Sequence, residues 1–216
     1  MKAQLLGVVV LAVVTAYSAE AASQLLNTSD PVGQVQDVEG LAHLCHDICP
    51  DNKQLASIND ELYPGSLIET SPGAVIQFST HDVSSCVAEE NSKLQIRPNA
   101  ELAIVWLDIE PPPFPEGVSW CIKREGAKQQ AYGVRGVKFL AAGTTFGVVH
   151  DPVTRSVIKV AEGSATVAVG SGRQIKVEAN EELVIPGVRG EGVKKRPLEL
   201  SDEDKASIAR LKQGTQ

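Results

Sequence analysis

This 216-residue chain lacks the motifs by which most catalysts can be read from sequence. It has no Gly-x-Ser-x-Gly elbow, no His-Glu-x-x-His pair and no phosphate-loop spacing. Tyr132-Gly133-Val134-Arg135-Gly136 and Gly187-Val188-Arg189-Gly190-Glu191-Gly192 miss the dinucleotide pattern, so their glycines read as turn residues. His81-Asp82 would point to opposite faces of a strand, which makes a poor relay, and His150-Asp151-Pro152 reads as a turn entrance. Cations are scarce too: 20 Lys+Arg stand against 27 Asp+Glu, a formal net charge of −7. That balance excludes a nucleic-acid partner, whose phosphates need clustered cations. The single basic run, Lys194-Lys195-Arg196, reads as a solvated segment.

Only one hydrophobic run is long. Met1-Lys2 is a short basic start, Leu5 to Ala16 is almost unbroken apolar chain, and Ala19-Glu20-Ala21 offers small-x-small residues before Ala22. The pattern predicts a secretory signal peptide over residues 1–21. About 14 apolar residues fall short of the roughly 20 needed to span a bilayer. No cysteine follows the run where a lipid-modified start would need one. The expected mature protein is periplasmic or secreted, with no stable membrane insertion after cleavage.

Four cysteines in an exported chain predict two disulfides, for which three pairings are open. Cys45 with Cys49 and Cys86 with Cys121 is the preferred set, since Cys86 and Cys121 both lie in strand-like runs. Residues 41–50, LAHLCHDICP, bring His43, Cys45, His46 and Cys49 within seven positions. In an oxidising compartment this reads as a small disulfide ring with two solvated histidines and no cofactor. The alternative is a copper or zinc site, or a redox centre, built from those four residues.

What the chain has in quantity is β-pattern. Lys93-Leu94-Gln95-Ile96-Arg97 and Gln174-Ile175-Lys176-Val177-Glu178 alternate strictly, and Val148, Val149, Val157, Ile158, Val160, Val167 and Val169 are β-branched. Pro64-Gly65, Pro72-Gly73, Asp151-Pro152, Glu162-Gly163 and Asn180 read as turns between short antiparallel strands. Trp106 reads as a core or sheet-edge plug, with partner binding as its alternative role. Glu110 to Gly117 carries three consecutive prolines, which fit a stiff spacer between two β lobes or an exposed recognition loop with Phe114 at its tip. After Pro186 a polar tail, 187–216, holds a helix from Ser201 to Lys212, capped by Ser201 and acidic in its first turn. With Ile208 and Leu211 as its strong apolar residues, this helix is expected to pack loosely or fold on a partner.

Several of these runs resemble the FecR domain. Gly143-Thr144-Thr145-Phe146, Val148, Thr154-Arg155-Ser156-Val157, Val160-Ala161-Glu162-Gly163 and Val167 resemble its core. Leu62 to Thr70 followed by Ala74-Val75-Ile76-Gln77-Phe78 is similar to its opening hairpin. The resemblance spans Gly33 to Pro186, within a β domain assigned to 22–186. It implies an all-β, antiparallel meander or β-roll-like fold with a short C-terminal α-helix, acting in the bacterial envelope as a non-catalytic binding, sensory or scaffold module. Its partner would be an envelope protein or a cell-wall glycan, contacted through sheet edges or the Pro-rich loop. A polysaccharide-acting enzyme is the second alternative, because two distant carboxylates can suffice for that chemistry.

Overall fold

The computed structural model describes residues 30–46, 53–80, 84–96, 102–106, 117–124, 131–134, 137–151, 155–169, 172–186 and 192–213. The signal peptide expected over 1–21, Cys49, Phe114, and the Pro-rich stretch up to Glu116 lie outside the described residues. The strands are β1 (Gly33–Glu39), β2 (Ala42–Cys45), β3 (Gln54–Leu55), β4 (Glu61–Leu62), β5 (Leu67–Thr70), β6 (Val75–Thr80), β7 (Ser84–Ala88) and β8 (Lys93–Ile96). They continue with β9 (Leu102–Trp106), β10 (Gly117–Lys123), β11 (Ala131–Val134), β12 (Val137–His150), β13 (Arg155–Val169), β14 (Arg173–Glu178), β15 (Glu181–Pro186) and β16 (Lys194–Pro197). One helix, α1 (Asp202–Gln213), follows. The fold is thus mostly antiparallel β with a short C-terminal helix, as expected; β9 with β11 is a parallel pair.

Two strands depart from the expected short-strand meander. β12 has 14 residues and β13 has 15, and Glu162-Gly163 does not end a strand. It marks a bulge, where the β12–β13 register shifts between Ala142 and Phe146. Gly143 and Gly163 both hold positive φ, 55° and 76°. A Cβ on Gly163 would lie 2.3 Å from the Gly143 carbonyl oxygen. Only glycine lets the two backbones meet there, so a dipeptide with turn chemistry serves as a kink in paired strands.

The kink divides the sheet into two layers. Before it, β12 pairs with β11, whereas after it β12 pairs with β10. β13 pairs first with β15 and later with β14. The first layer therefore runs β3-β2-β5-β8-β9-β11 into β12, and the second runs β4-β1-β6-β7-β10 into the other half of the same strand. Phe139 and Phe146 both enter the core, with ring centroids 5.4 Å apart. Seven residues of straight strand would separate them by about 23 Å. Tyr132 packs on both rings, at 5.3 and 4.8 Å. Around this aromatic trio, Leu44, Ile68, Leu94 and Ile104 from one layer join Val35, Ile76, Phe78 and Ile158 from the other in one buried cluster.

The strands on either side of 110–117 interleave in this arrangement: β9 pairs with β8 and β11, β10 with β7 and β12. Likewise β5 and β6, neighbours in sequence, belong to different layers rather than to one hairpin. Cys86 and Cys121 are direct cross-strand partners of β7 and β10, disulfide-bonded with Cα atoms 4.1 Å apart. The outer edge of β14 is blunted by side chains. Lys195 Nζ donates to the Lys176 carbonyl at 3.4 Å and Glu181 accepts from the Glu178 amide at 2.8 Å. Those two side chains also pair with each other at 2.8 Å, so β14 makes a poor template for strand addition.

The kink predicts a specific sensitivity. Gly163→Ala should destabilise the fold by at least about 2 kcal/mol, because left-handed backbone is costly for a residue with a Cβ and the Gly143 carbonyl blocks the added carbon. Gly172→Ala has the same backbone cost with open space around it and should lose less. Urea unfolding of both variants checks the difference.

Candidate functional site

Strand register sets a row of residues across the second layer. Val87 faces Trp120, Trp120 faces Gly147, and Gly147 faces Lys159. Alternation places this row on the face turned away from the main core. Gly147 has no side chain here because the Trp120 indole occupies the space: a Cβ would lie 2.6 Å from Trp120 Cε2. The large ring thus lies over a glycine, beside a lysine.

Helix α1 covers the row. Leu211 packs with Val87 and Trp120, and Leu200, Ile208, Val118, Ile122 and Ala161 surround them. At the start of the helix, Ser201 and Asp204 form a reciprocal cap. The Asp204 amide donates to Ser201 Oγ at 3.0 Å, and the Ser201 amide donates to Asp204 Oδ2 at 2.9 Å. The same carboxylate accepts from Trp120 Nε1 at 2.8 Å and from Lys159 Nζ at 2.5 Å. Asp204 is 2% exposed. Burial pushes its carboxyl up, but the Lys159 ammonium, the Ser201 amide and the Trp120 indole together hold it below the ordinary carboxylate value.

The rim carries further pairs. Ser207 Oγ donates to Glu89, Arg210 meets Glu39 at 3.1 Å, and Lys212 meets Glu162 at 2.7 Å. Lys212 and the Thr145 hydroxyl lower the Glu162 carboxyl. Exposed pairs of this kind contribute about 0–1 kcal/mol each. Asp204 and Leu211 therefore hold the helix, and the rim pairs orient it.

Beside the N-terminal end of α1 lies a half-open cleft of about 630 Å³. Val75, Val118 and Val149 line it together with Glu89, Glu90 and Lys159. Its size fits a small ligand or a side chain of a partner. Lys159 is neutralised by Asp204, so the lining keeps an acidic excess. Glu90 accepts from the Gly73 amide, which fixes the turn at one end.

The sequence-derived candidates fall elsewhere. Cys45 is disulfide-bonded, and a disulfide sulfur is no thiolate donor. His46 Nδ1 lies 3.0 Å from Ser66 Oγ and His46 Nε2 lies 3.1 Å from Gln54 Nε2, so both ring nitrogens are engaged. His43 sits on β2 opposite Leu55. No group of three or more metal-ligating side chains occurs among the described residues. Trp106 ends β9, opposite Leu94 and Val134. The tail helix, expected to pack loosely or fold on a partner, is docked on Trp120. Trp120, Lys159 and Glu89 escaped sequence reasoning; the only signal was the Ser201-x-x-Asp204 cap, which reads locally as a helix start and says nothing of partners 45 and 84 residues away.

No protein-family model matches the chain, and no curated protein matches it. Among solved structures it is similar in fold to a protein of Parabacteroides distasonis described as a "putative anti-sigma factor", seen in two crystal structures, at 2.50 and 1.65 Å. Each superposes with a TM-score of 0.50 at 13% identity, covering 62% of this chain and 60% of the other. The match thus spans under two thirds of that protein, and what it carries over is the β architecture. Among the described residues no helix is long and apolar enough to cross a membrane.

Asp204→Asn should cost about 3 kcal/mol, because it leaves the Lys159 ammonium half-buried without its counter-charge. Denaturant unfolding measures this. Because the folded carboxyl titrates below its unfolded value, its contribution is complete above about pH 4 and is lost as pH falls through the lower folded value. Tryptophan emission should therefore hold steady from neutral pH to about pH 4 and then shift as α1 leaves the indole.

Proposed function

We propose that this protein is a non-catalytic, extracytoplasmic binding and sensory module of the bacterial envelope, FecR-like, acting through contact with another envelope protein. The observation that carries this reading is the second layer's outer face, where a cleft lined by valines and carboxylates adjoins a helix held at two main points. The two carboxylates best placed for chemistry, Asp204 and Glu89, are engaged in fixing α1. The cross-strand Cys86–Cys121 disulfide supports an oxidising compartment. The likeness to the Parabacteroides fold supports a regulatory role, and the acidic surface favours a protein with a basic contact patch over an anionic polymer.

Cell fractionation with intact-mass analysis tests compartment and disulfides together. The expected species lies in the periplasm or medium, lacks residues 1–21 and is four hydrogens lighter than its fully reduced form. A photo-crosslinker at exposed Glu203 should then give one protein adduct, and the chain should not sediment with purified cell wall. A cytoplasmic chain with alkylatable thiols, or sedimentation with glycan alone, would contradict the reading.

A further inference from the structure

Charge on this molecule is compensated at many places and left open at the cleft beside α1. Glu39, Glu69, Glu162, Glu178, Glu181 and Glu182 each pair with a lysine or arginine. Glu89, Glu90 and Glu203, which line the cleft, have no cationic partner among the described residues, and Lys159 beside them is committed to Asp204. Neutral donors nevertheless hold two of these carboxylates in place. Ser207 Oγ donates to Glu89 and the Gly73 amide donates to Glu90. An ionised carboxylate offers about four acceptor positions, so each keeps most of its capacity for a further donor. Glu203 stands in the first turn of α1, where the helix dipole favours an acid.

The rest of the lining is apolar. Val118 and Val149 are cross-strand partners, and Ala74 and Val75 lead into β6. The cleft's volume of about 630 Å³ lies within the roughly 300–1,000 Å³ of ligand sites. Building on the partner-binding reading above, we propose that this cleft receives a short basic segment of the partner protein. Its lysine or arginine stems lie along the valines and its charged heads meet Glu90 and Glu203, with Glu89 adding to the field. Charge complementarity selects this occupant. A concave, partly apolar site of one sign focuses its field on the opposite charge. Long basic side chains suit both surfaces at once, covering apolar groups with their stems and donating from their heads. A neutral or acidic segment would cover the carboxylates without satisfying them. Throughout, α1 stays docked and contributes Glu203.

The probe is a tri-arginine peptide, acetylated and amidated, and its control is the tri-citrulline peptide, of similar shape without the charge. Titrated into the full chain and followed by methyl NMR, tri-arginine should shift Val75, Val118 and Val149 saturably, and tri-citrulline should bind at least about tenfold more weakly. Glu90→Gln with Glu203→Gln should weaken tri-arginine binding at least about tenfold. Glutamine keeps an acceptor for the Gly73 amide, and both changes spare the Asp204 joint. Glu178→Gln with Glu181→Gln removes the same two charges at the β14–β15 turn and should change affinity by no more than about twofold. Equal losses in the two double variants, equal binding of tri-citrulline, or no shift at the three valines would overturn the proposal. Spermidine binding at these valines as tightly as tri-arginine would make a free polyamine the occupant and equally overturn the assignment to a protein segment. A Glu203 adduct without tri-arginine binding removes the basic-segment assignment alone; loss of the adduct removes the envelope-partner reading.

Discussion

The register between β10, β12 and β13 is the constraint on which this molecule turns. The paired kink at Gly143 and Gly163 interrupts the β12–β13 pairing locally, leaving the same offset on either side, and lets two long strands serve both layers. One consequence is internal: the odd residue in the bulge reverses the inward and outward phase of β12, so Phe139 and Phe146 both reach the core. The other is external. Past the kink, Gly147 comes between Trp120 and Lys159, and the missing side chain leaves a bed for the indole. Core and candidate site thus follow from the same backbone event.

A buried carboxylate completes the site. Removing Asp204 from water is unfavourable, and what offsets that cost is a full set of donors: an ammonium, an indole N–H and the amide of its own cap residue. Two of these come from the sheet and one from the helix terminus. The carboxylate therefore joins elements that share little apolar surface, since Leu211 is the only fully buried apolar side chain α1 contributes. A helix fixed mainly by one polar joint and one leucine is well ordered when both are satisfied and poorly held when either is lost.

Much of the fold was legible. Alternation in Lys93–Arg97 and Gln174–Glu178 placed Leu94, Ile96 and Val177 inside, and glycine or asparagine chemistry located the turns at Gly65, Gly73 and Asn180, all with positive φ. The pairing of Cys86 with Cys121 was also within reach, because each sat in a strand-like run. Glu162-Gly163 misled because a kink and a turn use the same residues, and only the partner strand distinguishes them. The site was hidden for a related reason. Ser201-x-x-Asp204 is locally sufficient as a cap, so nothing in the tail required Asp204 to reach Trp120 or Lys159. Of the two tryptophans, Trp106 drew notice for its apolar strand, while nothing local to Trp120 pointed to the site.

The direct test is the solvent exchange of the Trp120 indole N–H, resolved by nitrogen-edited NMR and assigned with Trp106→Phe. The account predicts a slowly exchanging signal at neutral pH, shifted by its carboxylate acceptor, that becomes fast in Asp204→Asn while the β12 and β13 amides stay protected. A Trp120 indole that exchanges at the free rate in the native chain would contradict it, for then the helix does not rest on the sheet through that bond.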